Sequence, residues 1–195
     1  MGQIESKNFD YFASNWTKVQ LDKGGNVHDS QVFLGYVMGI HDTWNGVLYD
    51  VPKSIAPKKI VTRMLARAVN SKKSLPHKKV IESLSLLYPI KGKSLPPSKR
   101  FRLYKESLVL FIEEWFINSD ASKLPDGVSG SVIAYVVGFV QGVHDCVNGQ
   151  LFDVPQGKTL GQILTPVYVY RNKFEDIEHG ALIVVHALKL AYPKQ

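Results

Sequence analysis

Cysteine is nearly missing from this chain of 195 residues. Cys146 is the single one, which excludes an internal disulfide framework and any zinc cluster built on cysteines. Long hydrophobic runs are missing as well. The longest, such as VIAYVVGFVQGVHDCV at 132 to 147, are interrupted by Gln141, His144 and Asp145 before the roughly 20 residues a membrane span needs, so no membrane insertion is expected. No basic leader with an apolar stretch precedes Phe9. The chain is therefore expected in the cytoplasm, or in the periplasm if Met1 and Gly2 stand where a signal peptide was removed. Acidic residues are scarce in one long stretch. Residues 53 to 105 hold fifteen Lys or Arg against the single acid Glu82, a local +14 in a chain of net charge +7, which leaves −7 for the rest. Such a split fits a basic face for an acidic partner, with nucleic-acid phosphates the lesser candidate and a solvated surface with a basic linker the plain alternative.

What is present is enough apolar material to fold. At 45% hydrophobic and 11% aromatic, the chain can bury one large core or two modest ones. Part of it is written twice. GIHDTWNGVLYDVP at 39 to 52 returns as GVHDCVNGQLFDVP at 142 to 155, 103 residues downstream. Aligning Gly35 to Pro52 on Gly138 to Pro155 gives 11 identities in 18 positions, and SLLYP at 85 to 89 answers KLAYP at 189 to 193 after one inserted residue. An all-α chain of two tandem four-helix units is expected, residues 1–90 and 100–195, joined at 91–99 by Gly, Ser and paired Pro.

Helical periodicity recurs in both units. Phe9, Phe12, Trp16 and Val19 form one first-helix stripe, and Leu103, Ser107, Leu110, Phe111 and Glu114 frame the other. Second helices are expected over about 30–44 and 129–147, carrying Gly35 and Gly39, then Gly138 and Gly142, four apart on one face where another helix can approach closely. Asn45-Gly46 and Asn148-Gly149 tolerate positive φ and should end them. Pro52 and Pro155 lead towards third helices, opened by Pro57 in one unit and by a Thr159-x-x-Gln162 capping box in the other. Pro166 should kink the latter or delay its start. Fourth helices are expected over about 76–88 and 175–191, with Val80, Leu84 and Leu87 inward in one and Leu182, Val185, Leu188 and Leu190 in the other.

The residue types that invite a catalytic reading fall short of a complete set. His41-Asp42 and His144-Asp145 look like metal-binding pairs, but neighbours on a helix point about 100° apart and the other histidines do not recur at matched positions. The structural reading has Asp42 and Asp145 bond the backbone or side chains that fix the loop after the second helix, with each His covering a helix end. Asp50 and Asp153 lack a Ser-His or Cys-His partner and should hold a turn. Gly157, Lys158 and Gly161 resemble a phosphate loop only faintly. Neither an enzyme, a metal site nor a cofactor is expected.

The string LGYVMGIHDTWNGVLYDVP, followed by two helices and a closing Tyr-Pro, resembles the Rap/Tai family of immunity proteins, which neutralise amidase toxins delivered by type VI secretion. Gly35, Tyr36, Gly39, Asp42, Gly46, Tyr49 and Pro52 match its pattern in the first unit, and Gly138, Phe139, Gly142, Asp145, Gly149, Phe152, Pro155 and Gln162 in the second. Where the family commonly has cysteines this chain has Asp50 and Asp153, with Ile90 and Lys194 at the closing positions, so the resemblance implies two spatially adjacent positions that lack a disulfide. It also implies two family-like units fused into one monomer whose internal pseudo-twofold replaces a dimer axis. The expected activity is binding of a protein partner, with Trp44, Lys53, Lys59, Arg63, Arg67, Phe152, Tyr168 and Tyr170 as candidate contacts. The alternative is a helical interaction module whose basic face binds an acidic partner or nucleic acid.

Overall fold

The computed structural model describes residues 8–68, 75–91, 102–117 and 130–194. Of the expected joining segment, Lys91 alone falls within them. Among the described residues the regular elements are eight α-helices and one short 3-10 turn at Arg171–Lys173, so the fold is all-α. The helices are α1 Phe9–Gln20, α2 Val27–Trp44, α3 Pro57–Ala68, α4 Pro76–Leu87, α5 Lys105–Ile117, α6 Gly130–Val147, α7 Leu160–Tyr170 and α8 Gly180–Ala191. Helix α2 opens on Asn26, whose side chain accepts the Asp29 N–H at 3.1 Å, and α7 opens on the full Thr159–Gln162 capping box.

The centre of the molecule is the crossing of α2 and α6. A Cβ added at Gly35 or Gly39 would be driven into the carbonyl of Tyr135 or Phe139 on α6, and one at Gly138 or Gly142 into that of Val32 or Tyr36 on α2. Val32 and Tyr135, like Tyr36 and Phe139, occupy matching places in the repeated sequence, so each helix offers its partner the surface it receives. The four glycines bring two backbones together where any side chain would hold them apart.

The other helices wrap this pair. Helix α1 lies on α2 with the Phe9 and Phe33 rings edge to face at 5.4 Å, while α3 packs on α4 and α7 on α8. Helix α4 also reaches α6, and α8 reaches α2, so the buried residues of both halves join in one core. By length and hydropathy alone α6 could cross a membrane, but 61% of it is buried inside the protein as the partner of α2. Cys146 on its inner face is buried too, and desolvation pushes its thiol up to about 12.

Expectations change in α5 and α8. In α5 the inward residues are Leu108 and Ile112, whereas Leu110 is 52% exposed, because an almost wholly apolar SLVLFI leaves the register to packing. In α8, Leu182 and Leu190 face outward, and the helix begins at Gly180 rather than near 175. The preceding residues are held elsewhere, since Lys105 N donates to Glu178 O at 2.8 Å and Gly180 N to Leu103 O at 2.9 Å. Pro166 does not delay α7, which runs from Leu160 to Tyr170; the Gln162 carbonyl, deprived of the N–H of residue 166, accepts from Tyr192 Oη at 3.2 Å.

Candidate functional site

The repeated stretch builds the same loop twice. At the end of α2 Asn45 stays out of the left-handed region, but Gly46 enters it at φ 87° and its N–H donates to Tyr49 O. Asn45 Oδ1 accepts Val51 N at 2.7 Å across the loop. At the end of α6 Gly149 has φ 79° and donates to Phe152 O, while Asn148 Oδ1 accepts Val154 N at 2.9 Å. Tyr49 and Phe152 plug the two loops into the core at 0% exposure. The closing segments lie alongside. Asp50 N donates to Tyr88 O at 2.8 Å and Asp153 N to Tyr192 O at 3.0 Å, which places each loop beside the Tyr-Pro that ends its half. Thus the turns are held by the asparagine side chains and by the backbone of the aspartates.

The His-Asp pairs lie beside these loops. Nδ1 of His41 lies 2.8 Å from Oδ1 of Asp42, and Nδ1 of His144 lies 2.8 Å from Oδ1 of Asp145. Asp42 Oδ2 accepts Arg102 N at 2.8 Å and Leu103 N at 2.9 Å, which ties the second half onto the first and bonds the backbone of the residue whose side chain holds the loop after α2. Asp145 Oδ2 instead accepts Tyr36 Oη at 3.1 Å, and burial with that neighbouring carboxylate drives the phenol well above its ordinary pKa. Both oxygens of each carboxylate are thereby engaged. His77 lies towards Asp145 and His179 towards Asp42, and desolvation lowers both imidazoles. Among the described residues, Nε2 of His41 and of His144 is buried without a hydrogen-bond partner. Among the described residues no three His, Cys, Asp or Glu side chains converge as a metal site requires.

The candidate partner contacts separate into three groups. Lys53, Lys59, Arg63 and Arg67 are exposed on the loop after α2 and on α3, where Arg63 Nη1 donates to Tyr88 Oη at 3.3 Å and Lys53 Nζ to Tyr104 Oη at 3.5 Å. Arg63, Ala66, Arg67, Leu87 and Tyr88 line a shallow hollow there. Trp44, Tyr168 and Tyr170 are half-buried: Tyr168 stacks on Phe116 at 4.5 Å under the Arg171 guanidinium, and Tyr170 lies under Lys173. Phe152 is not a partner contact, because its ring is fully inside the loop it anchors. Pro52 and Pro155 are exposed at the loop exits.

One residue at this site was hidden in the sequence by its basic neighbourhood. Arg102 sends Nη1 to the Lys53 carbonyl at 2.7 Å, and Nη2 to the carbonyls of Pro52 at 3.0 Å and Ile55 at 2.9 Å. The corresponding loop in the second half borders a cavity of about 570 Å³ lined by His144, Asn148, residues 154–160 and Ile163. No model of a known protein family, no curated protein and no solved structure matches this chain.

Proposed function

We propose that the chain is an internally duplicated pseudo-dimer of two four-helix units, 1–90 and 100–195, and that it acts as a non-catalytic, immunity-like protein that neutralises an amidase-type toxin by binding it. The resemblance of the repeated motif to the Rap/Tai family supplies the partner class. One observation carries the reading. The glycines that the two copies share close the helix crossing and the shared asparagines brace each turn, so that the same loop is built twice, while several exposed loop and α3 positions have diverged. Lys53 and Lys59 stand where the other copy has Gln156 and Gln162. Preorganised loops with different exposed surfaces suit recognition of another protein.

The reciprocal α2 and α6 contacts support the pseudo-dimer, since a twofold interface uses one patch against itself. The fused form frees each unit to take its own share of a partner. The first presents cations suited to an acidic surface, and the second presents half-buried tyrosines on α7. The test is protection. Bacteria expressing an amidase effector in the periplasm should stop growing, and co-expression of this chain in the same compartment should restore growth. Lack of rescue across a panel of such effectors, with the chain shown to be folded and present, removes the toxin assignment. A second reading, a basic module for nucleic acid, draws on the exposed Lys59, Arg63 and Arg67 on α3. It requires duplex binding that weakens steeply with salt.

A further inference from the structure

The hollow between α3 and the end of α4 encloses about 440 Å³ and gathers side-chain donors without an acceptor to match them. Arg63 and Arg67 lie four apart on α3, so both guanidiniums stand on one face of the helix and line the same hollow. The Arg67 guanidinium has no hydrogen-bond or ion-pair partner among the described residues. Arg63 Nη1 donates to Tyr88 Oη at 3.3 Å, which uses the phenol oxygen as an acceptor and leaves its own O–H free to donate. The rest of the lining is apolar, with Ala66 exposed and Leu87 half-buried. Among the described residues no Asp or Glu borders it. The second half carries no such set. Its matched positions are Pro166, Val169, Tyr170, Ala191 and Tyr192, and the Tyr192 hydroxyl is committed to the Gln162 carbonyl at 3.2 Å.

We propose that this hollow receives a carboxylate side chain, flanked by an apolar residue, that a partner protein presents. Arg67 and the remaining donors of Arg63 take the carboxylate oxygens, the Tyr88 hydroxyl donates to one of them, and the apolar neighbour covers Ala66 and Leu87. A carboxylate suits the site because it only accepts hydrogen bonds, as three converging donors require, and its two oxygens match the fork of a guanidinium. A nucleic acid suits it less. Phosphates follow one another along a backbone and call for a row of cations, whereas here the two charges share their hollow with an apolar floor.

That the carboxylate comes from a protein rests on the binding function proposed above, and the following test separates the two. The probe is the peptide acetyl-Leu-Glu-Leu-amide, with acetyl-Leu-Gln-Leu-amide as its neutral isostere. Each is titrated into the full-length protein and into its Arg67→Gln and Arg67→Lys variants, and followed by amide NMR shifts. The expected result is saturable shifts confined to residues 63–67 and 86–89, with the glutamine peptide weaker by about tenfold or more because charge-assisted bonds are lost. Arg67→Gln should remove that preference, and Arg67→Lys should restore only part of it, since an ammonium lacks the planar fork. Equal affinity of the two peptides, absence of saturable shifts, a preference that survives Arg67→Gln, or shifts centred on Lys53, Lys58 and Lys59 would each overturn it. So would a short DNA duplex that shifts residues 63–67 and 86–89 where the glutamate peptide does not. Growth protection by a chain whose hollow shows no glutamate preference ends this inference and leaves the proposed function standing. Glutamate-selective binding at the hollow without protection does the reverse.

Discussion

Arg102 does more for this molecule than its place in a basic stretch announces. Three carbonyls of one loop converge on its guanidinium, and its backbone N–H shares Asp42 with Leu103. Arg102→Gln should lower stability by about 1 to 3 kcal/mol, since bonds from a charged donor are lost and a carbonyl pair is left to water. Arg102→Lys should recover little of it, and thermal or urea unfolding reads both. The buried histidines set a pH dependence. His77 and His179 are lowered mainly by desolvation, so above the ordinary imidazole value of about 6.5 they are neutral whether the chain is folded or not, and their contribution is intact. As pH falls through that value the unfolded chain takes up protons that the folded protein resists, and stability declines until the lowered native values are reached. His179→Gln should flatten the fall in Tm between about pH 7 and 5, a window the principle of proton linkage defines. Why these residues escaped a sequence reading is physical. A guanidinium's partners are carbonyls, which leave no mark in sequence, and a histidine's burial depends on which helix end meets which.

At the scale of elements, periodicity and punctuation were informative wherever one face is buried and the other wet. Asn45-Gly46, Asn148-Gly149, Pro57 and Thr159 mark helix ends where the structure has them, and Gly35, Gly39, Gly138 and Gly142 mark the crossing. Helix α5 and the start of α8 were less legible, because apolar residues surround the one and a backbone pairing with 103–105 claims the approach to the other. The crossing yields the sharpest prediction here. Gly35→Ala or Gly138→Ala drives a methyl into a backbone carbonyl that has no rotamer to escape with. Loss should reach or exceed the roughly 1 to 3 kcal/mol of ordinary overpacking, and Gly39→Leu or Gly142→Leu should cost more than their alanine counterparts. Gly149→Ala, at φ 79° with open space around it, should cost about 1 kcal/mol or so through backbone strain alone. Equal midpoints for crossing variants and the parent would mean that α2 and α6 are not in backbone contact.

At the scale of the whole molecule, one scaffold builds two matched loops and carries different exposed residues on them. Charge on one half should then control how fast a partner arrives. Reversing Lys59, Arg63 and Arg67 to Glu should slow association strongly at low salt and weakly at high salt, with little change in dissociation, because exposed charges steer encounter within a Debye length. Tyr170→Ala should chiefly speed dissociation if that ring is a contact. The central claim, that one fused chain does by binding what a toxin-neutralising dimer does, is tested most directly by titrating the purified protein into a purified amidase effector while following peptidoglycan hydrolysis. The account predicts a linear loss of hydrolysis to a sharp end point at one chain per toxin. Hydrolysis that continues undiminished at a large molar excess, across the effectors assayed, would contradict it.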